Sequence, residues 1–411
     1  MGKQLRIWLF VLLSTLLAST TLLAQGIITL TTSKAVGEEI GLNIKANGNV
    51  AIEGAQETGE TDLLVRKSYR LTSQTITIRG DVTELNCSGN ELISLDVSKN
   101  TALRTLSCGW NQLKSLDVSQ NTALTVLGCD NTQLKSLDVS KNTALTFLNC
   151  SWNRLTSLDL SQNTALTELD CDVNQLTRLD VSKNTALETL CCQCNKLTSL
   201  DVSKKTALTL LWCYSNQLTS LDVSKNTALT KLWCSENQLT RLDVSKNTAL
   251  TKLDCGYNKL TSLDVSKNTA LTELSCYENQ LTSLNVSKNT ALRMLFCRDN
   301  LLTSLDVSKN TALTELWCSN NQLTSLDVSG CARLTVVDCS SNYINGKAMT
   351  ELVNSLPNRR KKSSGTFILV DNSAEKRDRN RCSAAEVTTA KRKNWTVLKD
   401  RGRYRRDCLN Y

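Results

Sequence analysis

The chain has 411 residues, 18 cysteines, no histidine and a formal net charge of +9. A chain of this length can bury a large core, and length alone allows two or three domains. Histidine is the usual general base for Ser and Cys nucleophiles and the usual ligand of catalytic zinc. Its absence therefore excludes most common hydrolase mechanisms.

The first residues are typical of an export signal. Lys3 and Arg6 precede an apolar run at residues 7–23. We predict a cleaved signal peptide at residues 1–24, because the run is short for a bilayer span and contains several Ser and Thr residues. No later segment is apolar enough to span a bilayer. The mature protein is thus expected to be secreted or held at the cell surface, with no transmembrane segment.

Residues 25–81 alternate apolar and polar side chains, as at Ile40, Leu42 and Ile44, with glycines between the alternating runs. Alternation with a period of two residues indicates β-strands, and the glycines indicate turns. We predict a β-rich N-terminal cap here.

Thirteen cysteines then recur at intervals of 21 residues, from Cys87 to Cys339, each within the frame L-x-x-L-x-C-x-x-N. Such a fixed period predicts a repeat array at residues 82–342. In L-x-C, both side chains point the same way from a short strand, and stacked units form a parallel sheet. An Asn follows three residues after all these cysteines except one, where Thr132 stands. Its amide both donates and accepts, so we expect it to bond open backbone groups at each turn.

The second half of each unit, T-S-L-D-V-S-K-N-T-A, scarcely varies. It is too short for an ordinary helix beside the strand, so we predict extended segments on the opposite face.

This frame resembles the leucine-rich repeat, specifically the 21-residue nested bacterial type called IRREKO in its Cys-bearing variant. The layout is similar to that of internalin-like secreted proteins of Bacteroidetes. The resemblance implies a leucine-rich-repeat solenoid that is mainly β, with parallel β-structure on the Cys face. It also implies that the repeat surface serves adhesion or protein binding and that the protein is not an enzyme.

Residues 343–398 contain two helical patterns, at 347–356 and 383–393, and an apolar run between them. We predict an α/β C-terminal cap that covers the open end of the core. A basic tail follows at residues 399–411. It lacks the fold context of a nucleic-acid module, so we predict a solvated tail and no nucleic-acid partner, with contact to an anionic surface as the alternative.

Neighbouring cysteines of the array would stand roughly 4.8 Å apart, with their Cβ atoms side by side, which disfavours disulfides between them. We predict buried structural thiols, with a few strained disulfides or a metal site as alternatives. A redox role for Cys191 and Cys194 is disfavoured, because such motifs lie at a helix N-terminus. Cys331, Cys382 and Cys408 fall outside the period, and their pairing is left open.

Four carboxylates cluster at Glu168, Asp170, Asp172 and Glu188. Their spacing would suit an inverting glycosidase or a calcium site. A contact patch or plain solvation is favoured, so no catalytic residue, metal or cofactor is predicted.

Aromatic residues concentrate at outward positions beside the recurring cysteines, whereas the second halves have none. Rigid rings on a sheet are typical of binding hot spots. The predicted ligand-binding residues are Trp110, Trp152, Trp212, Tyr214, Trp233, Tyr257, Tyr277, Phe296 and Trp317. We predict that they bind a protein or glycan on a host or bacterial surface. Two alternatives stay open: the rings pack across neighbouring strands, or the protein self-associates as a structural component of the envelope or biofilm.

Overall fold

The computed structural model describes residues 26–61, 66–371 and 379–400. The predicted signal peptide and the basic tail beyond residue 400 lie outside these residues. The chain divides into two compact units, one up to Ala186 and one from Leu187 onwards.

The first unit begins with antiparallel strands that close the first coil. Strand β1 pairs with β8 in the second half of that coil, and β2 pairs with β7 in its first half. Leu30, Ile40, Leu42 and Ile76 of these strands are buried. The strands are β1 (Ile27–Thr32), β2 (Glu39–Ala46), β3 (Ala51–Glu53), β4 (Ala55–Thr61), β5 (Lys67–Leu71), β6 (Thr75–Arg79), β7 (Val82–Asn86) and β8 (Leu92–Asp96).

The coils of the first unit stack in parallel. Strand β7 pairs with the first of four three-residue strands, and each of these pairs with the next. Leu106, Leu127 and Leu148 are directly in register and fully buried. The strands are β9 (Thr105–Ser107), β10 (Val126–Gly128), β11 (Phe147–Asn149) and β12 (Glu168–Asp170).

The second unit continues the same pattern. Its parallel strands are β13 (Thr189–Cys191), β14 (Leu210–Trp212), β15 (Lys231–Trp233), β16 (Lys252–Asp254), β17 (Glu273–Ser275), β18 (Met294–Phe296), β19 (Glu315–Trp317) and β20 (Val336–Asp338).

Two longer strand–helix units complete the second unit. Helix α1 (Lys347–Ser355) leads to β21 (Gly365–Asp371), and α2 (Ala384–Arg392) leads to β22 (Trp395–Asp400). Strands β20, β21 and β22 pair in parallel. Helix α2 starts at a capping box, in which the Ser383 side chain accepts from the Glu386 N–H and the Glu386 carboxylate accepts from the Ser383 N–H.

Strand β8 lies in the second half of the first coil, whereas the second halves of the later coils contain no regular strand in the described chain and pass through tight turns. In one of them, Asn121 donates its backbone N–H to the Val118 carbonyl, and its side-chain amide donates to Val97 and Asn100 in the preceding coil at 3.0 and 2.8 Å. A second row of asparagines thus joins successive coils. The predicted fold class is confirmed: a mainly β leucine-rich-repeat solenoid with a β N-terminal cap and an α/β C-terminal cap.

Candidate binding surface

Each coil presents side chains at fixed positions relative to its recurring cysteine, counted here as −3, −1, +1 and +2. In the coil of Cys213, Leu211 and Cys213 are fully buried. Leu210, Trp212 and Tyr214, at −3, −1 and +1, are half-buried. The strand therefore directs Leu and Cys into the core and displays the variable residues beside them.

The turn after each strand is fixed by an asparagine at +3. The Asn237 amide donates to the carbonyls of Cys213 and Cys234 at 3.1 and 3.2 Å, and its oxygen accepts from the Leu218 N–H at 2.9 Å. The expected Asn ladder is confirmed by these bonds. At Thr132, the hydroxyl instead donates to Cys129 O at 2.8 Å.

The backbone at +2 is left-handed in every coil, with φ between 45° and 67°. The 21-residue period did not predict this backbone, although Gly89, Asn131, Asp299 and Asn320 at this position are residue types that favour it. Position +2 therefore projects its side chain from the turn instead of from the strand.

The first aromatic cluster consists of Trp212, Tyr214 and Trp233. Trp212 and Trp233 are register partners in β14 and β15, and their rings stack with centroids 4.6 Å apart and planes 5° apart. Tyr214 meets Trp233 at 6.5 Å with a tilt of 54°. Each such pair contributes about 0.5–1.5 kcal/mol beyond its buried area, which holds the rings in one arrangement.

The second aromatic cluster consists of Tyr257, Tyr277 and Arg298. The two tyrosine rings meet edge to face at 5.3 Å and 86°, and the Arg298 guanidinium lies 4.7 Å from the centre of the Tyr277 ring. Arg298 also pairs with Asp299 at 2.5 Å and with Glu278 at 3.7 Å. Burial raises the pKa of both tyrosine phenols, so they stay protonated at neutral pH.

The third aromatic cluster consists of Phe296 and Trp317. These rings stack at 6.1 Å with planes 15° apart. The Trp317 indole N–H donates to Glu315 at 3.0 Å.

The remaining two predicted binding residues lie in the first unit. Trp110 and Trp152 are 67% and 43% exposed, and both occupy the left-handed +2 position. The structure thus brings seven of the nine predicted residues into three clusters of the second unit. It places these two at turns of the other unit.

Charged groups flank the clusters. Lys231 and Lys252 are neighbours at −3, and Lys252 pairs with Glu273 at 2.7 Å. Burial raises the pKa of Asp254, which accepts from the Gly256 N–H at 3.1 Å and the Ser235 hydroxyl at 3.3 Å. Two cations and a paired carboxylate therefore lie at position −3 beside the aromatic clusters.

The recurring cysteines are a packing element. Cys213, Cys234 and Cys297 are fully buried free thiols. Burial raises the pKa of Cys213 and Cys297 to about 12, which suppresses the reactive thiolate. Cys191, at −1 in its coil, is also buried, with 7% exposure.

The cysteines outside the 21-residue period occupy different positions in the fold. Cys331 takes the position of an asparagine in the second row, and its thiol donates to Val307 O at 3.4 Å. Cys382 precedes helix α2. Both are free thiols, and Cys408 lies outside the described residues.

The four carboxylates that were predicted to cluster do not all lie on one face of a strand. Glu168 and Asp170 lie in β12, whereas Asp172 follows the strand and donates its backbone N–H to Asp170 at 3.2 Å. Burial raises the pKa of Asp170. Across the described ranges, no group of three or more His, Cys, Asp or Glu side chains is arranged to hold a metal ion.

Stacked parallel strands, inward Leu and Cys side chains and asparagine ladders define a leucine-rich-repeat solenoid. A family model described as leucine-rich repeats (2 copies) matches residues 227–268 and 311–354. The chain is 36% identical to the functional domain of InlJ from Listeria monocytogenes, which includes a cysteine ladder. That match covers 73% of this chain and 77% of the chain of that domain, with a TM-score of 0.61. The chain therefore belongs to the internalin-like leucine-rich-repeat proteins.

Two further structures are similar. An internalin (InlF) from Listeria monocytogenes is 25% identical, covering 66% of this chain and 84% of its own, with a TM-score of 0.60. A leucine-rich-repeat protein of Leptospira interrogans shares the fold at 21% identity, covering 76% and 94%, with a TM-score of 0.59.

A comparison with curated proteins gives no significant match. The nested 21-residue class and an origin in Bacteroidetes stay predictions. Neither helix of the described chain has the length and apolar content that a membrane span requires.

Proposed function

We propose that this protein is a secreted or surface-held binding protein whose strand face in the second unit attaches it to a protein on a host or bacterial cell. The observation that carries the proposal is the set of three preassembled aromatic clusters at outward positions of the strands and of the turns that follow them. Half-buried rings held by their neighbours lose little entropy when a partner covers them, which is how interface hot spots gain affinity.

A protein partner is favoured over a glycan by the orientation of the rings. Trp212 and Trp233 stack face to face, and Arg298 covers part of Tyr277. Intramolecular contacts therefore occupy one face of each of these rings, a face that sugar stacking would use. The proposed role is binding without catalysis, in keeping with a chain that contains no histidine.

The test is the binding of fluorescently labelled protein to cultured epithelial cells and to bacterial cells. Replacing Trp212 and Trp233 with Ala should lower the apparent affinity at least about tenfold, because both are central anchors. A matched control replaces Lys225 and Lys246, which are exposed in the second halves of the same coils. That control should bind like the wild type.

Two treatments of the cells identify the partner class. Loss of binding after trypsin supports a protein partner, whereas loss only after periodate oxidation indicates a glycan and overturns the preference stated above. Unchanged binding by the double Trp variant, or loss of oligomers without loss of cell binding, contradicts the proposed recognition surface. The second outcome supports self-association instead.

A further inference from the structure

The +1 positions of successive coils form a column that includes Ser235, Gly256, Tyr277 and Arg298. Gly256 is the member without a side chain. Its backbone is not left-handed, so any L-residue could adopt it. The requirement for glycine at this position must therefore come from space and not from conformation.

The Tyr277 ring lies directly over Gly256. A Cβ atom added to Gly256 would lie 2.6 Å from Cδ1 and 2.7 Å from Cζ of Tyr277, and it would also collide with Cε1. Carbon atoms in contact normally stand about 3.5–4.0 Å apart. An alanine here would force the ring to move.

The ring position over Gly256 determines the rest of the second aromatic cluster. From it, Tyr277 meets Tyr257 edge to face at 5.3 Å and receives Arg298 at 4.7 Å. Arg298 is in turn held by Asp299 and Glu278. A displaced ring would lose both contacts, and the guanidinium would keep its two carboxylates but no longer cover Tyr277.

The same arrangement occurs at +1 in the first unit. A Cβ atom on Gly109 would lie 2.8 Å from the carboxyl carbon of Asp130, the +1 residue of the next coil. A glycine at +1 thus lets the following +1 side chain fold back over it. At Gly256 the residue that folds back is one of the predicted binding residues.

We infer that Gly256 is a positioning residue of the binding surface: it seats Tyr277 so that Tyr257, Tyr277 and Arg298 present one preorganised contact to the partner. This inference rests on the proposed function. Preorganisation lowers the ordering cost of binding, so its loss weakens affinity without removing any contacting side chain.

The test compares Gly256→Ala with Gly128→Ala. Gly128 also lacks a left-handed backbone, and its added Cβ would have no neighbour closer than 3.9 Å. Gly256→Ala should lower cell binding about tenfold, as expected for loss of a hot-spot cluster. Gly128→Ala should bind like the wild type. In a Tyr277→Ala background, Gly256→Ala should have no further effect.

A second readout needs no partner. Burial raises the pKa of the Tyr277 phenol, so a displaced ring should ionise at lower pH. Ultraviolet titration of phenolate measures this shift, with Tyr277→Phe to assign the change and only at pH values where far-ultraviolet circular dichroism shows both proteins folded.

The inference is overturned if Gly256→Ala leaves the titration unchanged, or if it weakens binding equally in the Tyr277→Ala background. It is also overturned if binding is retained by Gly256→Ala but lost on replacement of Trp212 and Trp233. In that case the proposed function stands. If the Trp replacements have no effect on binding, the proposed function fails, while the titration still reports whether Gly256 seats Tyr277.

Discussion

The left-handed residue at +2 is the most demanding single position of each coil. Glycine and asparagine tolerate such a backbone, whereas other L-residues pay about 1–2 kcal/mol. Trp110, Trp152 and Tyr257 nevertheless occupy it, with φ of 55°, 53° and 48°. Strain of this kind persists where the surroundings enforce it and often accompanies function. Because the same backbone recurs at +2 of every coil, the strain is set by the repeat turn and not by the aromatic side chains.

Val173 occupies the same position, with φ of 45°, and has no ring to display. A β-branched residue is especially unfavourable there. We expect Val173→Asn to stabilise the protein by about 1 kcal/mol, measured as the free energy of unfolding in urea. The reciprocal control, Asn131→Val at φ of 50°, should destabilise it by a similar amount. A loss of stability in Val173→Asn would show that side-chain packing, and not backbone strain, dominates at this turn.

The recurring cysteines contribute to the core as a set, because each small apolar side chain packs against the next coil. Cys87, Cys129, Cys213 and Cys297 each have a pKa raised by burial from about 9 to about 12. A folded-state pKa above the unfolded value means that the native protein retains protons that the unfolded chain releases. The stabilisation is therefore complete below pH 9 and is lost as the pH rises towards 12.

We expect the free energy of unfolding to fall steeply with pH above about 9, each ladder thiol contributing about 1.4 kcal/mol per pH unit. Urea unfolding at a series of alkaline pH values measures this slope. Cys213→Ala should lower stability at neutral pH and make the slope shallower. Leu211→Ala, a cavity in the same coil, should lower stability and leave the slope unchanged. Equal slopes in both variants would rule out thiol ionisation as the cause.

At the scale of the whole molecule, the stability of the solenoid depends on the caps that cover the ends of the repeat array. The C-terminal cap continues the repeat bonding: the Asn380 amide donates to Cys339 O at 2.9 Å, and the Arg359 guanidinium donates to Leu334 O at 2.7 Å. Met349 and Leu352 of α1 and Phe367 of β21 are buried. The cap thus covers the apolar side chains of the last repeat and donates hydrogen bonds to its carbonyl groups.

A chain ending at residue 342 should therefore aggregate, since an uncapped repeat exposes a full layer of core side chains. Light scattering after size exclusion and binding of a hydrophobic dye would detect this, with the full chain at equal concentration as the reference. A monomeric truncated chain that unfolds cooperatively at the wild-type temperature would mean that the cap does not contribute to the stability of the coils.

The 21-residue period alone determined the fold class, the inward Leu and Cys and the role of the asparagine at +3. Each of these depends on position within the repeat, and coils that stack in phase place equal positions together. The same period also predicted which aromatic residues share the outward positions.

Only the tertiary structure decided which rings meet. Trp212 stacks on Trp233, while Tyr277 folds back over Gly256 and receives Arg298. The left-handed turn at +2, the burial of Cys191 and the place of Cys331 in the second asparagine row also came from the structure alone. The reason is physical. Repetition fixes the position of each backbone segment, but the rotamer of an outward side chain depends on its neighbour in the next coil. That neighbour differs from coil to coil.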